Sequence, residues 1–487
     1  MLAKWYFGRR AHMTSEWKPF LAEANNVALT GAVSVASTTL ETLPGDAVLY
    51  RIEGDLSGDY FGWSVEGLGD VDGDGVPDFA VGAHQLINLG ERPNWDAPPG
   101  YVRIVSGKDG QTLHTLRPTG SLKVDNPDDM FGCSLTALGD IDGDGAGDLA
   151  VGSFLYDYED ADTSEIDENT GAVFLISGAT GDRIALLGGE RWGDRYGYTL
   201  DRIGDRDGDG KDDLLIGVEK GEPKGAVKNA GRVDILSSAT HELLGTANGP
   251  GWEARMGHSL SVLGDVDGDG VDDFASGAYM FGAMEKAGQQ RGAVGAFSGA
   301  SGELLIAFEG AATVDNLGSS LATLHGSDAP LLAMGATQAG LEAEFTGQYF
   351  GPGYVRIHSI KDGGLRGVIV GEGVGDQFGW SLLNVGDRND DGVDDLLVGA
   401  PASMTFLDEK LDRHGRIYLV SGADGAPLRA YRGQELNDQF GASLALLGDV
   451  DGDGISDVAV GAPRNVAGQT AAGYVLVISG RVLTPAG

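Results

Sequence analysis

Aspartate recurs along this 487-residue chain in a nine-residue pattern, Asp-x-Asp-x-Asp-Gly-x-x-Asp, which presents hard oxygen donors and nothing softer. Side-chain oxygens at the first, third, fifth and ninth places, with a backbone carbonyl at the seventh, can surround one Ca2+, and the glycine permits a sharp turn. The first loop offers Asp70, Asp72, Asp74, the Val76 carbonyl and Asp78; the second offers Asp140, Asp142, Asp144, the Ala146 carbonyl and Asp148. The third offers Asp205, Asp207, Asp209, the Lys211 carbonyl and Asp213, and the fourth Asp265, Asp267, Asp269, the Val271 carbonyl and Asp273. A further copy carries one amide, as Asp387, Asn389, Asp391, the Val393 carbonyl and Asp395. The last returns to Asp449, Asp451, Asp453, the Ile455 carbonyl and Asp457.

An EF-hand needs a bidentate acid three places beyond the ninth, where these loops have Val81, Val151 and Ile216, so that reading is rejected. Asp-Gly runs also make ordinary solvated turns. Six in the same phase are not a chance pattern, and the expectation is about six structural Ca2+ ions, each site filled by protein ligands. Mg2+ suits the loops less well because it keeps its waters and prefers a rigid octahedron.

A scaffold that presents such loops must repeat. Their first aspartates are separated by 70, 65, 60, 122 and 62 residues, so the long gap holds a degenerate seventh copy. There Leu317-Gly318-Ser319-Ser320 and Met334-Gly335-Ala336 persist while the acidic loop has become Gly326-Ser327-Asp328-Ala329-Pro330. Each copy opens on an aromatic-Gly-x-Ser/Thr segment, as in Phe61-Gly62-Trp63-Ser64 and Phe440-Gly441-Ala442-Ser443. A short strand, the loop, a continuous apolar run such as Phe79-Ala80-Val81-Gly82, an insert and two more strands follow. The fold class this predicts is all-β, a seven-bladed β-propeller of four-stranded antiparallel blades. The last repeat lacks a full fourth strand, and Ala47 to Ile52 has that strand's pattern, so an N-terminal strand is expected to close the ring. Residues 41–487 are read as one propeller, and residues 1–40 are set aside as a leader, tag remnant or irregular N-terminal extension.

The Phe-Gly openings, together with Gly399-Ala400-Pro401 and Gly461-Ala462-Pro463 after the second strand, resemble the FG-GAP repeats of integrin alpha-subunit propellers and their bacterial relatives. The resemblance covers nearly all of the chain after residue 45 and implies calcium loops between the first and second strands, with ligand recognition on the opposite face. The chain departs from the integrin pattern in carrying calcium loops in six blades rather than a minority, and in lacking the disulfides, the trailing sandwich domains and the membrane span.

With 34 Lys and Arg against 73 Asp and Glu, the formal charge is −39, and no basic cluster is present that would draw a nucleic acid. Cys133 is the single cysteine, so no internal disulfide can form. No apolar run reaches the length of about 18 residues that a membrane span requires. Calcium of modest affinity suits an extracellular, cell-surface or periplasmic setting, although no clear signal peptide is present.

Inserts between second and third strands emerge opposite the acidic loops, and that face is the expected recognition surface for a protein or glycan ligand. Its candidate anchors are the aromatics Trp95, Tyr156, Tyr158, Tyr279, Phe281, Tyr349 and Phe350. No catalytic constellation is identifiable, so the expected role is not enzymatic but adhesion or surface-scaffold assembly. The alternatives are a propeller polysaccharide lyase or hydrolase, whose acid and base groups lie on different blades, and a purely structural subunit of an envelope assembly.

Overall fold

A computed structural model describes residues 16–18, 31–85, 99–118, 129–159, 166–167, 169–222, 228–282, 290–326, 329–338, 351–401, 414–464 and 471–484. Among these residues seven sheets follow one another along the chain, each with four antiparallel strands, and helix is limited to three isolated turns. Blade one is built from Ser64–Gly69, Asp78–Ala83, Tyr101–Val105 and Thr112–Leu116. Blades three and four repeat this order from Tyr196–Ile203 and Ser259–Gly264 onward. The second strand is buried along its whole length in every blade, which accounts for its unbroken apolar run. Side chains of neighbouring blades share one core: Val65, Phe79 and Val81 of blade one meet Ala445, Ala459 and Val475 of blade seven.

The opening motif has a physical explanation in the contact between blades. The Ser64 hydroxyl donates to the Gly132 carbonyl, Ser134 to Gly197, Thr199 to Gly257, Ser259 to Gly318, Ser320 to Gly379, Ser381 to Gly441 and Ser443 to Gly62, at 2.6 to 3.0 Å. Each blade is thus bonded to the next through the Ser/Thr of one motif and the glycine of the following one. Gly62 holds φ +88°, a conformation that strains any residue with a Cβ. On the other side of the contact, a Cβ on Gly82 would collide with the Gly132 carbonyl. The two signature glycines let adjacent blades approach at backbone distance.

The seventh sheet takes its outer strand from Val48–Glu53, antiparallel to Tyr474–Ile478 with Glu53 opposite Tyr474. Residues on the N-terminal side of this outer strand lie against the rim, part of them within the segment 1–40 that the sequence set aside. Val33–Ser34 pairs in parallel with the outer strand of blade five, and Glu41–Thr42 does the same on blade six. Trp17 is fully buried among side chains of blades three and four, its indole Nε1 donating to the Asn248 carbonyl at 3.1 Å. The ring lies over Gly295, which stands at the third place of a strand where the other blades have Arg103, Phe174, Asp234, Arg356, Tyr418 and Leu476. A Cβ on Gly295 would come within 2.6 Å of the indole, so the missing side chain forms the notch.

Blade five lacks the acidic loop. Its His325 exchanges two 2.8 Å hydrogen bonds with Asp394 of blade six, through the His325 carbonyl and amide. The degenerate turn has become a strut for the neighbouring loop.

Candidate metal loops and the opposite face

Each acidic loop joins the first strand of its blade to the second, and its last aspartate is already the first residue of that buried strand or lies immediately before it. In the first loop Asp70 Oδ1 accepts the Gly73 and Asp74 amides, and Oδ2 accepts Gly75. Asp72 accepts the Asp74 amide and Asp74 accepts that of Val76. Asp78 is fully buried: one oxygen takes the Val71 and Asp72 amides, and the other takes Gly107 from the turn after the third strand. Asp148, Asp273 and Asp457 repeat this anchoring through Gly178, Gly299 and Gly480. The loops are therefore shaped by their own backbone before any ion is considered.

That shape gathers negative charge. Carboxylate oxygens of Asp70, Asp72 and Asp78 lie within 4.8 Å of one another, as do those of Asp140, Asp142 and Asp148, and of Asp205, Asp207 and Asp213. The same holds for Asp265, Asp267 and Asp269, and for Asp449, Asp451 and Asp453. Burial raises the pKa of Asp78; the Gly107 and Val71 amides oppose the rise and the Asp72 charge adds to it. A bound cation would favour the ionised form. An all-oxygen donor set, clustered and partly desolvated, fits Ca2+.

The sixth blade differs. The Asn389 amide nitrogen donates to Asp395 Oδ1 at 3.3 Å, and burial pushes the Asp395 carboxyl up to about 6. No group of three clustered carboxylates forms there among the described residues.

At the other end of the strands, two residue positions per blade meet near the blade contacts: the one after each Phe-Gly and the one after each Gly-Ala. On blades two to four these positions bring Phe154, Tyr198, His258 and Tyr279 into a continuous run, with ring centroids 5.0, 5.2 and 3.9 Å apart in that order. Glu219, fully buried, lies beside them. Its Oε2 is 2.6 Å from Arg195 Nη1, while Oε1 is 3.6 Å from His258 Nδ1 and 3.7 Å from Arg255 Nη1. Burial works against its ionisation, yet His258, Arg195 and Arg255 together hold its pKa well below the usual carboxylate range. Burial, then the charges of Arg195 and Arg255, lowers the pKa of the neighbouring Lys220 ammonium. Arg255 also donates to the Tyr279 hydroxyl at 3.1 Å.

A family model described as "FG-GAP repeat" matches residues 61–90, 256–296 and 440–478. Human integrin alpha-IIb is 40% identical over 134 residues, covering 26% of this chain and 12% of its own length. These matched stretches carry the same glycine and hydroxyl contacts that join the blades. The chain is an integrin-like FG-GAP repeat protein. Integrin alpha-5 of Xenopus laevis is similar to it at 38% over 135 residues, 26% of this chain and 12% of that protein. Integrin alpha-4 of Xenopus laevis is 31% identical over 259 residues, 52% of this chain and 22% of that protein. The chain thus matches less than a quarter of the length of each of these relatives.

Two of the anchors expected on the inserts, Tyr156 and Phe281, are buried in the blades. Tyr156 is buried, its ring edge-on to Phe174 at 5.4 Å, because the first residues of its insert fold back onto the blade. Phe281 is buried in the core that also holds Trp17. Tyr158 belongs to a two-residue strand paired with Ile166–Asp167, and its side chain lies outside the described residues. Trp95, Tyr349 and Phe350 also fall outside them. Tyr279, half-buried, joins the ring-and-charge cluster. Sequence reasoning missed Glu219, Arg195 and Arg255, although a glutamate in the place of the Gly-Ala-Pro proline was a visible signal.

Proposed function

We propose that this FG-GAP propeller is a calcium-stabilised binding module for a protein or glycan ligand, acting in adhesion or surface-scaffold assembly outside the cytoplasm. The observation that carries the reading is the division of the two faces. Five of the six acidic loops gather three carboxylates within 4.8 Å at one end of the strands, and aromatic and cationic side chains gather at the other. Asp70, Asp72, Asp74 and Asp78, with the Val76 carbonyl, would hold the first ion, and the matching residues of the other loops would hold theirs. When bound, Ca2+ supplies positive charge that offsets the carboxylates and ties the start of the second strand to the preceding turn. The similarity to integrin alpha subunits supports a ligand-binding rather than a catalytic role. Among the described residues no helix is long and apolar enough to cross a membrane.

The test is capture of surface polymers and proteins by the full chain in millimolar calcium, repeated with chelator. Calcium-dependent retention is the expected outcome. Retention that is indifferent to chelation, by a chain whose stability is equally indifferent, contradicts the proposal.

A further inference from the structure

The first strands of the seven blades stand side by side around the axis of the ring, and each is the end strand of its sheet. Two places beyond the blade-joining Ser or Thr, blades one to four carry Glu66, Thr136, Asp201 and Ser261, whereas blades five to seven carry Ala322, Leu383 and Ala445. The ring closes equally well over either kind of residue, since the hydroxyl-to-glycine contact is made at all seven junctions. The two carboxylates are therefore not demanded by the fold.

Across blades one to three this wall bounds an open cavity of about 580 Å3, lined by Glu66, Thr136, Ala137, Asp201 and Arg202, with Asp140 of the second acidic loop also on it. Glu66 and Asp201 are half-buried, so both are reachable from the cavity, and neither makes an ion pair among the described residues. Glu66 Oε1 accepts the Ala137 amide at 3.2 Å, Asp201 Oδ1 accepts the Arg202 amide at 2.8 Å, and the Arg202 guanidinium is turned to Asp212 at 3.2 Å. Burial pushes the Glu66 carboxyl up to about 7 and that of Asp201 up to about 6, and a cation beside them would reverse the rise. Thr136 gives an independent sign of a missing partner: the residue is 4% exposed, it lines the cavity, and its hydroxyl has no hydrogen bond among the described residues. Because the end strands have no strand beyond them, a row of backbone carbonyls on each is also open to a donor.

From this geometry we infer that the cavity between the first strands of blades one to three binds a linear aliphatic diamine or polyamine, with one ammonium group at Glu66 and another at Asp201. Blade two lies between the two carboxylates. Its Ala137 methyl offers apolar contact to the methylene chain, and the Thr136 hydroxyl accepts an ammonium N–H. A metal ion fits less well: Ca2+ takes six to eight oxygens, and Glu66 and Asp201 belong to none of the three-carboxylate groups that the acidic loops form. A monoamine neutralises one carboxylate and leaves the other without a cation. The inference concerns the end of the strands that carries the acidic loops and stands apart from ligand recognition on the opposite face.

The experiment is calorimetric titration of the full chain with putrescine, spermidine and butylamine. Millimolar calcium is kept present so that the acidic loops do not compete, and about 0.15 M salt screens the exposed acids. One putrescine or spermidine is expected per chain, bound at least about tenfold more tightly than butylamine. Glu66→Gln and Asp201→Asn, which keep the shape of the wall, should each weaken the diamine about tenfold and bring it towards the affinity of butylamine. Thr136→Val should weaken it by a few-fold, whereas Asp362→Asn, at an exposed pair on blade five, should leave it unchanged. The melting temperature of every variant is measured alongside. A diamine that binds no more tightly than butylamine overturns the inference. So does affinity unmoved by Glu66→Gln and Asp201→Asn in folded protein, or weak uptake at many places per chain, which would mark attraction to the acidic surface at large. Calcium uptake that these two substitutions abolish would assign the cavity to a metal and overturn the inference as well.

Discussion

The hydroxyl of Ser443 donates to the carbonyl of Gly62 at 2.8 Å, across 381 residues of sequence. The same bond joins each of the other six blade pairs between neighbours in the chain, but here it joins the last repeat to the first. Beside it, Gly62 sits at φ +88°, and a Cβ there would lie 2.7 Å from the Tyr474 carbonyl.

Removing the two halves of this contact should have unequal effects. Ser443→Ala loses one hydrogen bond and should cost about 1 kcal/mol. Gly62→Ala adds left-handed strain and a collision with backbone, and should cost about 3 kcal/mol. Urea unfolding followed by tryptophan fluorescence measures both. Equal and negligible changes would mean that this junction does not contribute to the stability of the ring.

Glu66, on the first strand of blade one, lines an open cavity of about 580 Å3 together with Thr136, Ala137 and Asp201. Burial pushes its carboxyl up to about 7, against the Ala137 amide bond and with the Asp201 charge adding to the rise. Between the ordinary value of 4.5 and about 7 the folded chain holds a proton that the unfolded chain has released. Stability therefore falls as pH rises through that window. Glu66→Gln removes this term: the variant should match the parent at pH 4 and exceed it at pH 8, by on the order of 1 kcal/mol. Denaturation at both pH values checks the sign, and parallel curves for variant and parent would refute it.

Trp17 fills the Gly295 notch. Trp17→Ala should lower stability by about 3 kcal/mol, the usual loss for a buried aromatic. A chain starting at residue 31 should lose a similar amount. Thermal unfolding in saturating calcium measures both, and unchanged midpoints would show that the rim contact contributes nothing.

In the sixth loop an amide replaces the second carboxylate, and the Asn389 side chain is turned to Asp395. Asn389→Asp should tighten calcium at that loop by roughly tenfold, because charge count tunes affinity in such loops. Terbium luminescence competed by calcium reads the change, and a weaker or unchanged site would contradict the proposed ligand set.

Much of this architecture was legible because the motif residues act on the backbone. Gly62 and Gly82 are needed for close approach, Ser64 for the bond across blades, and Asp78 for pinning a turn, so each leaves a fixed residue type at a fixed spacing. Trp17 was not legible, because its place depends on the side chain absent at Gly295, 278 residues away, and nothing beside Trp17 marks it. Tyr156 misled for a related reason: a tyrosine beside a run of acids has the composition of a solvated loop, and only the fold turns it onto Phe174. Glu219 was visible as a departure from the repeat, but its meaning depends on Arg255 arriving from the next blade.

The most direct test is thermal unfolding of the full chain after exhaustive chelation and again after calcium is restored, with bound metal counted by elemental analysis. The proposed structure predicts a melting temperature that drops on chelation, recovers with calcium and tracks a content of about six ions per chain. A metal-free chain that melts at the same temperature and takes up no calcium would contradict it.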